Sequence, residues 1–446
     1  MSGVGRVFLV QPGSRSCGRI RVPGDKSISH RAVMFGALAE GITHVSGFLP
    51  GADTLATAQI LRDLGVSIQR TGTDTLSIEG VGMRGLRGSA NPLDCGNAGT
   101  AMRLLAGLLA GQTFASTLIG DESLSRRPMR RVMEPLLRMG AHIESSDAGT
   151  APLRIQPVSE LRGIHYTCPV ASAQIKSCVL LAGLYADGDT SVTEPAATRD
   201  YTERMLAALG ADVSVDGLTV RLRPGRRLQA QPIAVPGDFS SAAFFLVAAA
   251  IAPTADLTIE NVGLNPRRTG LLDTLLEMGA NIEILDRREI AGEPVGDLRV
   301  RSSSLRGVAV PTERVPDMID EFPAFAIAAA CAAGRSEVRG AHELRVKESD
   351  RIAAMARGLG ALGVAVEEFD DGMAIEGRGR FDTGTIDSRG DHRIAMSFAV
   401  ASLRASGALR ILDCANVDTS FPGFDSLANS AGLSIEVSDS RSGDRA

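Results

Sequence analysis

Aromatic residues are scarce in this chain of 446 residues, which contains no tryptophan and only three tyrosines. Single-stranded nucleic acids are usually bound by aromatic rings on which the bases stack, so this class of partner is not expected. The net charge of −5 at pH 7 also argues against a nucleic acid or an anionic membrane as partner, although it leaves room for a local basic site. The chain therefore lacks the features of a nucleic-acid-binding or membrane-binding protein.

Paired cysteines and long apolar runs are also absent from the sequence. The six cysteines show no C-x-x-C spacing and the six histidines no metal-ligand spacing, so we expect no disulfide framework, no metal and no cofactor. The N-terminus has no signal-peptide pattern, and no apolar run reaches membrane-spanning length without Gly, Pro or a charge. We therefore expect a soluble, cytoplasmic protein whose polar last residues, 438–446, form a flexible tail.

The sequence repeats itself along its whole length. A chain this long exceeds what one hydrophobic core usually supports, and 44% hydrophobic residues with 49 glycines indicate an α/β protein of two domains. Six stretches each join a turn with Gly, Pro or Asp, small polar residues and a helix rich in Ala, Leu and Val. They begin at Val22, Leu93, Cys168, Val235, Val315 and Ile386. Such self-similarity predicts a duplicated unit.

A second motif occurs once in each repeat, where a helix ends in Gly and an alternating strand follows. The six copies are LGVSI, MGAHI, LGADV, MGANI, LGVAV and AGLSI. Gly at this point suits a left-handed helix C-cap. Each repeat is therefore expected to be a βαβαββ unit, with three units in an N-terminal domain (22–235) and three in a C-terminal domain (1–21 plus 236–437). The strand around Arg6–Val10 is expected to complete the second domain.

The turns that lead into the first helix of each repeat carry most of the polar side chains suited to binding. These are Lys26, Ser27 and Arg31; Asn97, Gly99, Thr100 and Arg103; Ser172, Gln174 and Lys176; Asp320 and Glu321; and Asp391, His392 and Arg393. If equivalent turns lie at one end of each domain, these groups meet in a cleft between the domains. Their cations and hydroxyls predict a ligand with phosphate and carboxylate groups. We also expect Ser27 to cap the first helix.

Three basic motifs elsewhere leave alternatives open. In RRPMRR we expect Arg127 to face the ligand and its three neighbouring arginines to be solvated. Lys347 and Arg351 carry like charges at an i,i+4 spacing, which is destabilising unless an anion lies between them. Arg199 beside Asp200 is as consistent with a structural ion pair as with a ligand contact.

Two carboxylates lie among these cations and are candidates for proton transfer. Asp320 and Glu348 together allow one proton to be accepted and one to be donated. Glu321 is a rival to Asp320, and the spacing alone does not choose between them.

Eight motifs, in this order across about residues 22–396, carry a family resemblance: VPGDKSISHR, GNAGTAMR, RRPM, SAQIKS, TRDYTERM, IDEFP, RVKESDR and GDHRIAM. The chain resembles the 5-enolpyruvylshikimate-3-phosphate (EPSP) synthases, the 3-phosphoshikimate 1-carboxyvinyltransferases of the shikimate pathway to chorismate and aromatic amino acids. The resemblance implies the enolpyruvyl transferase fold, an inside-out α/β barrel. This fold has two similar domains of three βαβαββ units with buried parallel helices, and an active site in the interdomain cleft.

The resemblance also implies a reaction, in which the enolpyruvyl group of phosphoenolpyruvate passes to the 5-hydroxyl of shikimate 3-phosphate and phosphate is released. It implies that shikimate 3-phosphate is bound by Lys26, Ser27, Arg31, Ser172, Ala173, Gln174, Arg199, Asp320 and Lys347. It implies that phosphoenolpyruvate is bound by Lys26, Asn97, Gly99, Thr100, Arg127, Gln174, Arg351 and Arg393. Asp320 would accept the hydroxyl proton, and Glu348, with Lys26 as a further candidate, would protonate the methylene carbon. The protein is expected to be a monomer.

Some residues resemble the second, often glyphosate-tolerant class of the family: Lys176 in SAQIK, the RPMRR run, and Thr419 where the first class has a Lys. Gly99 argues the other way, because an Ala side chain there would crowd glyphosate, a candidate inhibitor. Two alternative functions remain. One is enolpyruvyl transfer to UDP-N-acetylglucosamine, although the loop Cys of that family corresponds to Glu122 here. The other is a catalytically silent anion-binding protein on the same scaffold.

Overall fold

The computed structural model describes residues 5–290 and 292–439. The chain divides into two compact units, which we call the continuous unit (24–235) and the discontinuous unit (1–23 with 236–446). Residues 440–446 of the expected tail lie outside the described residues, whereas Ser438 and Asp439 belong to the last strand. Within the described ranges, the helices are too short or too polar to cross a membrane.

The α-helices of the described residues are α1 (Lys26–Leu38), α2 (Ala52–Asp63), α3 (Gly99–Ala110), α4 (Arg130–Arg138), α5 (Ala173–Gly183), α6 (Tyr201–Ala208), α7 (Phe239–Ile251), α8 (Gly270–Glu277), α9 (Val315–Met318), α10 (Phe322–Cys331), α11 (Arg351–Ala361), α12 (His392–Ala401) and α13 (Phe424–Ser430). Short 3-10 helices span Leu124–Arg126, Thr312–Arg314, His342–Val346, Ser402–Arg404 and Ala415–Thr419.

The strands are β1 (Arg6–Val10), β2 (Arg15–Ile20), β3 (Glu40–Ser46), β4 (Ser67–Arg70), β5 (Leu76–Val81), β6 (Leu93–Asp94), β7 (Ser116–Ile119), β8 (His142–Glu144), β9 (Leu153–Gln156), β10 (Leu161–Arg162), β11 (His165–Thr167), β12 (Ala186–Asp187), β13 (Thr190–Thr193), β14 (Asp212–Asp216), β15 (Thr219–Arg223), β16 (Ile233–Ala234), β17 (Thr254–Gly263), β18 (Asn281–Ile290), β19 (Glu293–Arg301), β20 (Ala309–Val310), β21 (Gly334–Val338), β22 (Val366–Phe369), β23 (Gly372–Gly377), β24 (Gly384–Asp387), β25 (Leu409–Leu412) and β26 (Ile435–Asp439).

Six four-stranded sheets of the described residues share one topology, with three sheets in each unit. The strand orders are β16-β3-β5-β4, β6-β7-β9-β8 and β11-β13-β15-β14 in the continuous unit, and β2-β17-β19-β18, β20-β21-β23-β22 and β24-β25-β1-β26 in the discontinuous unit. The first two strands of each order run parallel and the later pairs run antiparallel. A further parallel pairing joins β10 and β12. The predicted α/β fold, with two domains of three βαβαββ units, is confirmed.

The N-terminal segment contributes strands to two sheets of the discontinuous unit. Strand β1 lies between β25 and β26 and is antiparallel to both, so that Phe8 is opposite Ile411 on one side and Val437 on the other. Strand β2 runs parallel to β17. The sixth sheet therefore takes its third strand from the start of the chain.

One helix of each repeat is buried as a core element, namely α1, α3, α5, α7, α10 and α12. All of α7 is buried, because its sequence FSSAAFFLVAAAI is apolar or small on every side. The second helices bury only one face and end at the predicted glycines, whose φ angles lie between +79° and +109°. Because the buried helices are apolar along their length, the polar binding residues are confined to their first turns and the preceding loops.

Candidate active site

Helix α1 of the continuous unit begins in a polar turn that differs from the expectation in its cap. The carboxylate of Asp25 accepts a hydrogen bond from the backbone N–H of Ile28 at 2.8 Å, so Asp25 is the N-cap and the prediction for Ser27 was wrong. Asp is as good an N-cap as Ser, and it occupies the place three residues before Ile28. Lys26 forms a salt bridge with Asp53 of α2, a partner that the sequence analysis missed.

The guanidinium of Arg31 ties the first turn of α1 to two other helices. It donates to the hydroxyl of Thr202 on α6 at 2.7 Å, to the hydroxyl of Ser177 on α5 at 2.8 Å and to the backbone carbonyl of Ser27 at 3.0 Å. Its burial lowers the pKa of Arg31 to about 10, so the side chain remains a cation at neutral pH. Arg31 thereby fixes the backbone beside Ser27.

Gln174 joins the first turns of α3 and α5. Its carbonyl accepts a hydrogen bond from Arg103 at 2.8 Å, and its amide donates to Thr100 at 3.0 Å. Ser172 is the N-cap residue of α5 and Ala173 its first residue, but within the described part of the chain neither α3 nor α5 has a side-chain hydrogen bond at its N-cap. Helix N-termini of this kind favour an anion, because their first N–H groups carry partial positive charge.

Arg127 and Gly99 lie together at the start of α3. Arg127 is buried and donates to the side-chain carbonyl of Asn97 at 2.6 Å, while Asn97 donates to Asp121 at 2.8 Å. A Cβ atom on Gly99 would lie 3.1 Å from a guanidinium nitrogen of Arg103 and 3.2 Å from one of Arg127. Because Gly99 has no side chain, both guanidinium groups can lie this close to the start of α3.

Two motif residues of the continuous unit, Lys176 and Asp200, form ion pairs within the fold. Lys176 is buried between two carboxylates, and its ammonium lies 2.7 Å from both Glu194 and Glu203. Its expected place among the binding groups of the turn was therefore wrong. Asp200 forms an ion pair with Arg204 at 2.7 Å in α6, and Arg199 precedes this pair in the chain.

In the discontinuous unit, Arg351 is the centre of a cluster of carboxylates. Its buried guanidinium lies 2.8 Å from Asp391, 2.7 Å from Glu348 and 3.5 Å from Asp320. Burial acts to lower the pKa of Arg351, but these three carboxylates outweigh it and raise the pKa above its usual value. Asp320 and Glu348 therefore both lie beside the same guanidinium, that of Arg351, which stays positively charged.

Asp320 is also approached by three further basic side chains. Lys347 lies 3.6 Å from its Oδ1 and Arg268 lies 3.6 Å from its Oδ2, while Arg393 donates to its backbone carbonyl at 3.1 Å. Lys347 and Arg351 both face Oδ1, so Asp320 is the anion that their like charges require. Lys347 precedes α11, so the two do not share a helix as their spacing had suggested. Burial lowers the pKa of Lys347.

The structure distinguishes Asp320 from its neighbour Glu321. The Glu321 side chain is 0% exposed and accepts a hydrogen bond from Ser240, whereas the side chains of Asp320 and Glu348 are 13% and 22% exposed. A proton-transferring group has to be reached by its substrate, so this difference supports Asp320 over Glu321.

Asp391 holds the start of α12 and anchors Arg351. It accepts from the backbone N–H of Arg393 at 2.9 Å as N-cap and from the Ser349 hydroxyl at 3.0 Å. Burial acts to raise the pKa of Asp391, but the charge of Arg351 prevails and lowers it. The hydroxyl of Thr419 donates to a backbone carbonyl at 2.7 Å in the 3-10 helix Ala415–Thr419.

A family model described as EPSP synthase (3-phosphoshikimate 1-carboxyvinyltransferase) matches residues 10–427. The chain belongs to the EPSP synthase family. It is 60% identical to the 3-phosphoshikimate 1-carboxyvinyltransferase of Methylococcus capsulatus over 97% of this chain and 99% of that protein. The corresponding protein of Acidithiobacillus ferrooxidans is 59% identical over 96% and 99%. A solved EPSP synthase from Acinetobacter baumannii has a TM-score of 0.88 at 51% identity, covering 97% of this chain and all of that one.

These similarities confirm the family that the eight motifs predicted. They extend over nearly the whole of this chain and of each relative, so both units belong to the family's architecture. This chain is an enzyme of the transferase class.

Proposed function

We propose that this chain transfers the enolpyruvyl group of phosphoenolpyruvate to the 5-hydroxyl of shikimate 3-phosphate, giving 5-enolpyruvylshikimate 3-phosphate and phosphate. The observation that carries the proposal is the pair of partly exposed carboxylates, Asp320 and Glu348, on the buried cation of Arg351. An addition followed by an elimination needs one group that accepts a proton and one that donates it. Family membership supplies the identity of the substrates.

For shikimate 3-phosphate we propose binding residues at the first turns of α1 and α5 and around Asp320. They are Lys26, Ser27, Arg31, Ser172, Ala173, Gln174, Arg199, Asp320 and Lys347. The cation of Lys26 and the N-terminus of α5 suit a phosphate dianion. The hydrogen bonds of Arg31 use three of the five N–H donors that a guanidinium offers, which supports its role in fixing Ser27.

For phosphoenolpyruvate we propose residues of both units: Lys26, Asn97, Gly99, Thr100, Arg127, Gln174, Arg351 and Arg393. In the continuous unit, Arg127 and Arg103 approach the open side of Gly99 at the start of α3. This arrangement offers two guanidinium groups and a helix N-terminus to one small anion. A common cleft for the two units stays a prediction.

In the proposed reaction Asp320 accepts the proton of the 5-hydroxyl. Three cations lie within 3.6 Å of its carboxylate, and opposite charges at such distances favour the ionised form of an acid. Glu348, with Lys26 as the other candidate, protonates the methylene carbon of phosphoenolpyruvate. The hydroxyl oxygen then bonds to the cationic carbon, and phosphate leaves from the resulting tetrahedral intermediate.

The test is phosphate release from the purified protein with phosphoenolpyruvate and either shikimate 3-phosphate or UDP-N-acetylglucosamine. We expect release only with shikimate 3-phosphate, and release only with the sugar nucleotide would contradict the proposed acceptor. Asp320→Asn should lower kcat by about 10²- to 10⁴-fold, the usual contribution of a general base. The matched control is Asp382→Asn, because Asp382 lies in an exposed ion pair with Arg378. Substrate binding by the parent without turnover would favour a silent anion-binding protein.

We further propose that the protein is a cytoplasmic monomer that binds glyphosate. The most exposed large apolar side chains of the continuous unit, Ile42 on β3, Leu137 on α4 and Val215 on β14, lie on separate elements, which supports a monomer. Phosphoenolpyruvate is a metabolite of the cytoplasm, which supports that location. Sedimentation, cell fractionation and glyphosate inhibition of phosphate release test the three statements separately.

A further inference from the structure

A buried arginine that the proposed mechanism does not use lies beside Asp320. Arg268 is 3% exposed and lies in the turn before α8, where its backbone N–H donates to the carbonyl of Asn265 at 2.8 Å. The Asn265 side chain accepts from the N–H of Arg267 at 2.9 Å and donates to Glu293 at 3.1 Å. The backbone at Arg268 is therefore held in place independently of its side chain.

One side of the Arg268 guanidinium is bound to the start of α7. Its Nη2 lies 3.0 Å from Asp238 Oδ1 and 2.5 Å from Ser240 Oγ. Asp238 is in turn the N-cap of α7 and accepts from the N–H of Ser240 at 3.1 Å. Because all three side chains are buried, this attachment is shielded from water.

The other side of the guanidinium faces the acidic pair at the start of α10. Nη1 lies 3.6 Å from Asp320 Oδ2 and 3.6 Å from Glu321 Oε1, and Ser240 donates to that same oxygen of Glu321. Lys347 and Arg351 approach Asp320 at Oδ1 instead. Arg268 therefore approaches this carboxylate from its Oδ2 side.

We infer that Arg268 is a positioning residue for Asp320: it holds the carboxylate in the orientation and the ionised state that acceptance of the hydroxyl proton requires. The inference rests on the proposed function, in which Asp320 is the base. The planar fork of an arginine suits this role, because one nitrogen can stay on Asp238 and Ser240 while the other faces Asp320.

The inference predicts a change in pH dependence. The charged groups that face Asp320 are Arg268, Lys347 and Arg351 at its oxygens and Arg393 at its backbone carbonyl. The carboxylates of Asp238 and Glu321 lie beside Arg268, and those of Glu348 and Asp391 lie beside Arg351. Removing the charge of Arg268 takes away one of three cations at the carboxylate. A nearby opposite charge favours the ionised form of an acid, so the loss of Arg268 should move the acidic limb of the pH profile to higher pH.

The experiment compares Arg268→Gln and Arg268→Lys with the parent, using phosphate release between pH 5 and pH 9. In Arg268→Gln the acidic limb of the kcat/KM profile should move up by about one pH unit and kcat should fall about tenfold, with KM values within about twofold of the parent. Arg268→Lys keeps the charge but not the fork, so its limb should stay in place while kcat falls several-fold. The matched control is Arg267→Gln, because Arg267 occupies the same turn but pairs with Asp317 at 3.2 Å.

Each result bears on the inference. An unmoved limb in a folded Arg268→Gln protein, or a limb that moves equally in Arg267→Gln, would overturn it. If Arg268→Gln does not fold, Arg268→Lys decides, since an unchanged kcat in that variant would show that the fork is not needed. A parent protein without phosphate release would instead refute the proposed function, before any variant is compared.

Discussion

Lys176 should be among the most sensitive positions for the stability of the continuous unit. Its side chain is 2% exposed and its ammonium lies 2.7 Å from Glu194 and from Glu203, both also buried. Lys176→Met keeps the approximate length of the side chain but leaves two buried carboxylates without their shared cation. The substitution therefore removes the positive charge that compensates for the burial of Glu194 and Glu203, and their desolvation then destabilises the folded state.

The magnitude follows from the burial of this ion pair. Removing one partner of a buried pair usually costs about 3–5 kcal/mol. For a unit of 212 residues (24–235), one kcal/mol corresponds to about 2–4 °C in Tm, so the loss should be about 6–20 °C. The exposed pair of Arg227 with Glu40, at 3.1 Å, offers the matched control, and Arg227→Met should change Tm by less than about 2 °C.

The loss should also depend on pH. Burial acts to lower the pKa of Lys176, but Glu203 and Glu194 outweigh it and raise the pKa. The stability from this lysine is therefore fully present below the ordinary lysine pKa and is lost as the pH rises through the raised pKa of the folded protein. Burial raises the pKa of Glu203 even in the parent. Without Lys176 the carboxyls would need to take up protons, so the variant should lose less stability at pH 5 than at pH 8.

The assay is scanning calorimetry of the parent and both variants at pH 5 and pH 8. A Tm loss below about 2 °C for Lys176→Met at pH 8 would refute the reasoning, because it would place the net cost within the range of an exposed pair. An equal loss at both pH values would show that the two carboxylates do not carry the cost.

Three further outcomes test other parts of the structure. Gly99→Ala should raise the inhibition constant of glyphosate about tenfold, because a methyl group 3.1–3.2 Å from two guanidinium nitrogens has to displace them; equal constants would refute this. Asp25→Ala should lower the Tm of the continuous unit by at least about 2–4 °C, because it removes an N-cap worth about 1 kcal/mol and also the acceptor of the Tyr201 hydroxyl at 3.2 Å; an equal loss in Ser27→Ala would contradict the assignment of the cap. Deleting residues 1–15 removes β1 from between β25 and β26, so the discontinuous unit should melt earlier and the continuous unit should not; calorimetry that shows both transitions unmoved would refute that account.

Repetition made the fold predictable from the sequence. A helix that ends in Gly and feeds an alternating strand is a local pattern, set by the left-handed conformation at the C-cap and by side-chain alternation in a strand. Six copies of one pattern in strict order are stronger than any single match. The predicted βαβαββ units and the strand at Arg6–Val10 depended on such local signals.

The binding motifs were predictable as groups, but the partner of each side chain was not. The turn before α1 predicted an N-cap, yet Asp25 and Ser27 are both good caps, and backbone geometry chose Asp25. Asp320 and Glu321 are adjacent carboxylates with the same local surroundings in sequence. They differ because Ser240, 81 residues away, binds Glu321 and leaves Asp320 partly exposed.

What the sequence by itself determined is the repeated α/β architecture, the family and the set of turns that carry charge, because these depend on residue order and short-range geometry. Only the tertiary structure decided that Lys176 lies between Glu194 and Glu203, that Asp320 separates the charges of Lys347 and Arg351, and that Arg268 reaches the same carboxylate. These contacts join side chains from different helices and loops, and the contact of Arg268 with Asp320 joins two repeats. Their energies depend on distance and burial, which arise only when the helices and sheets pack.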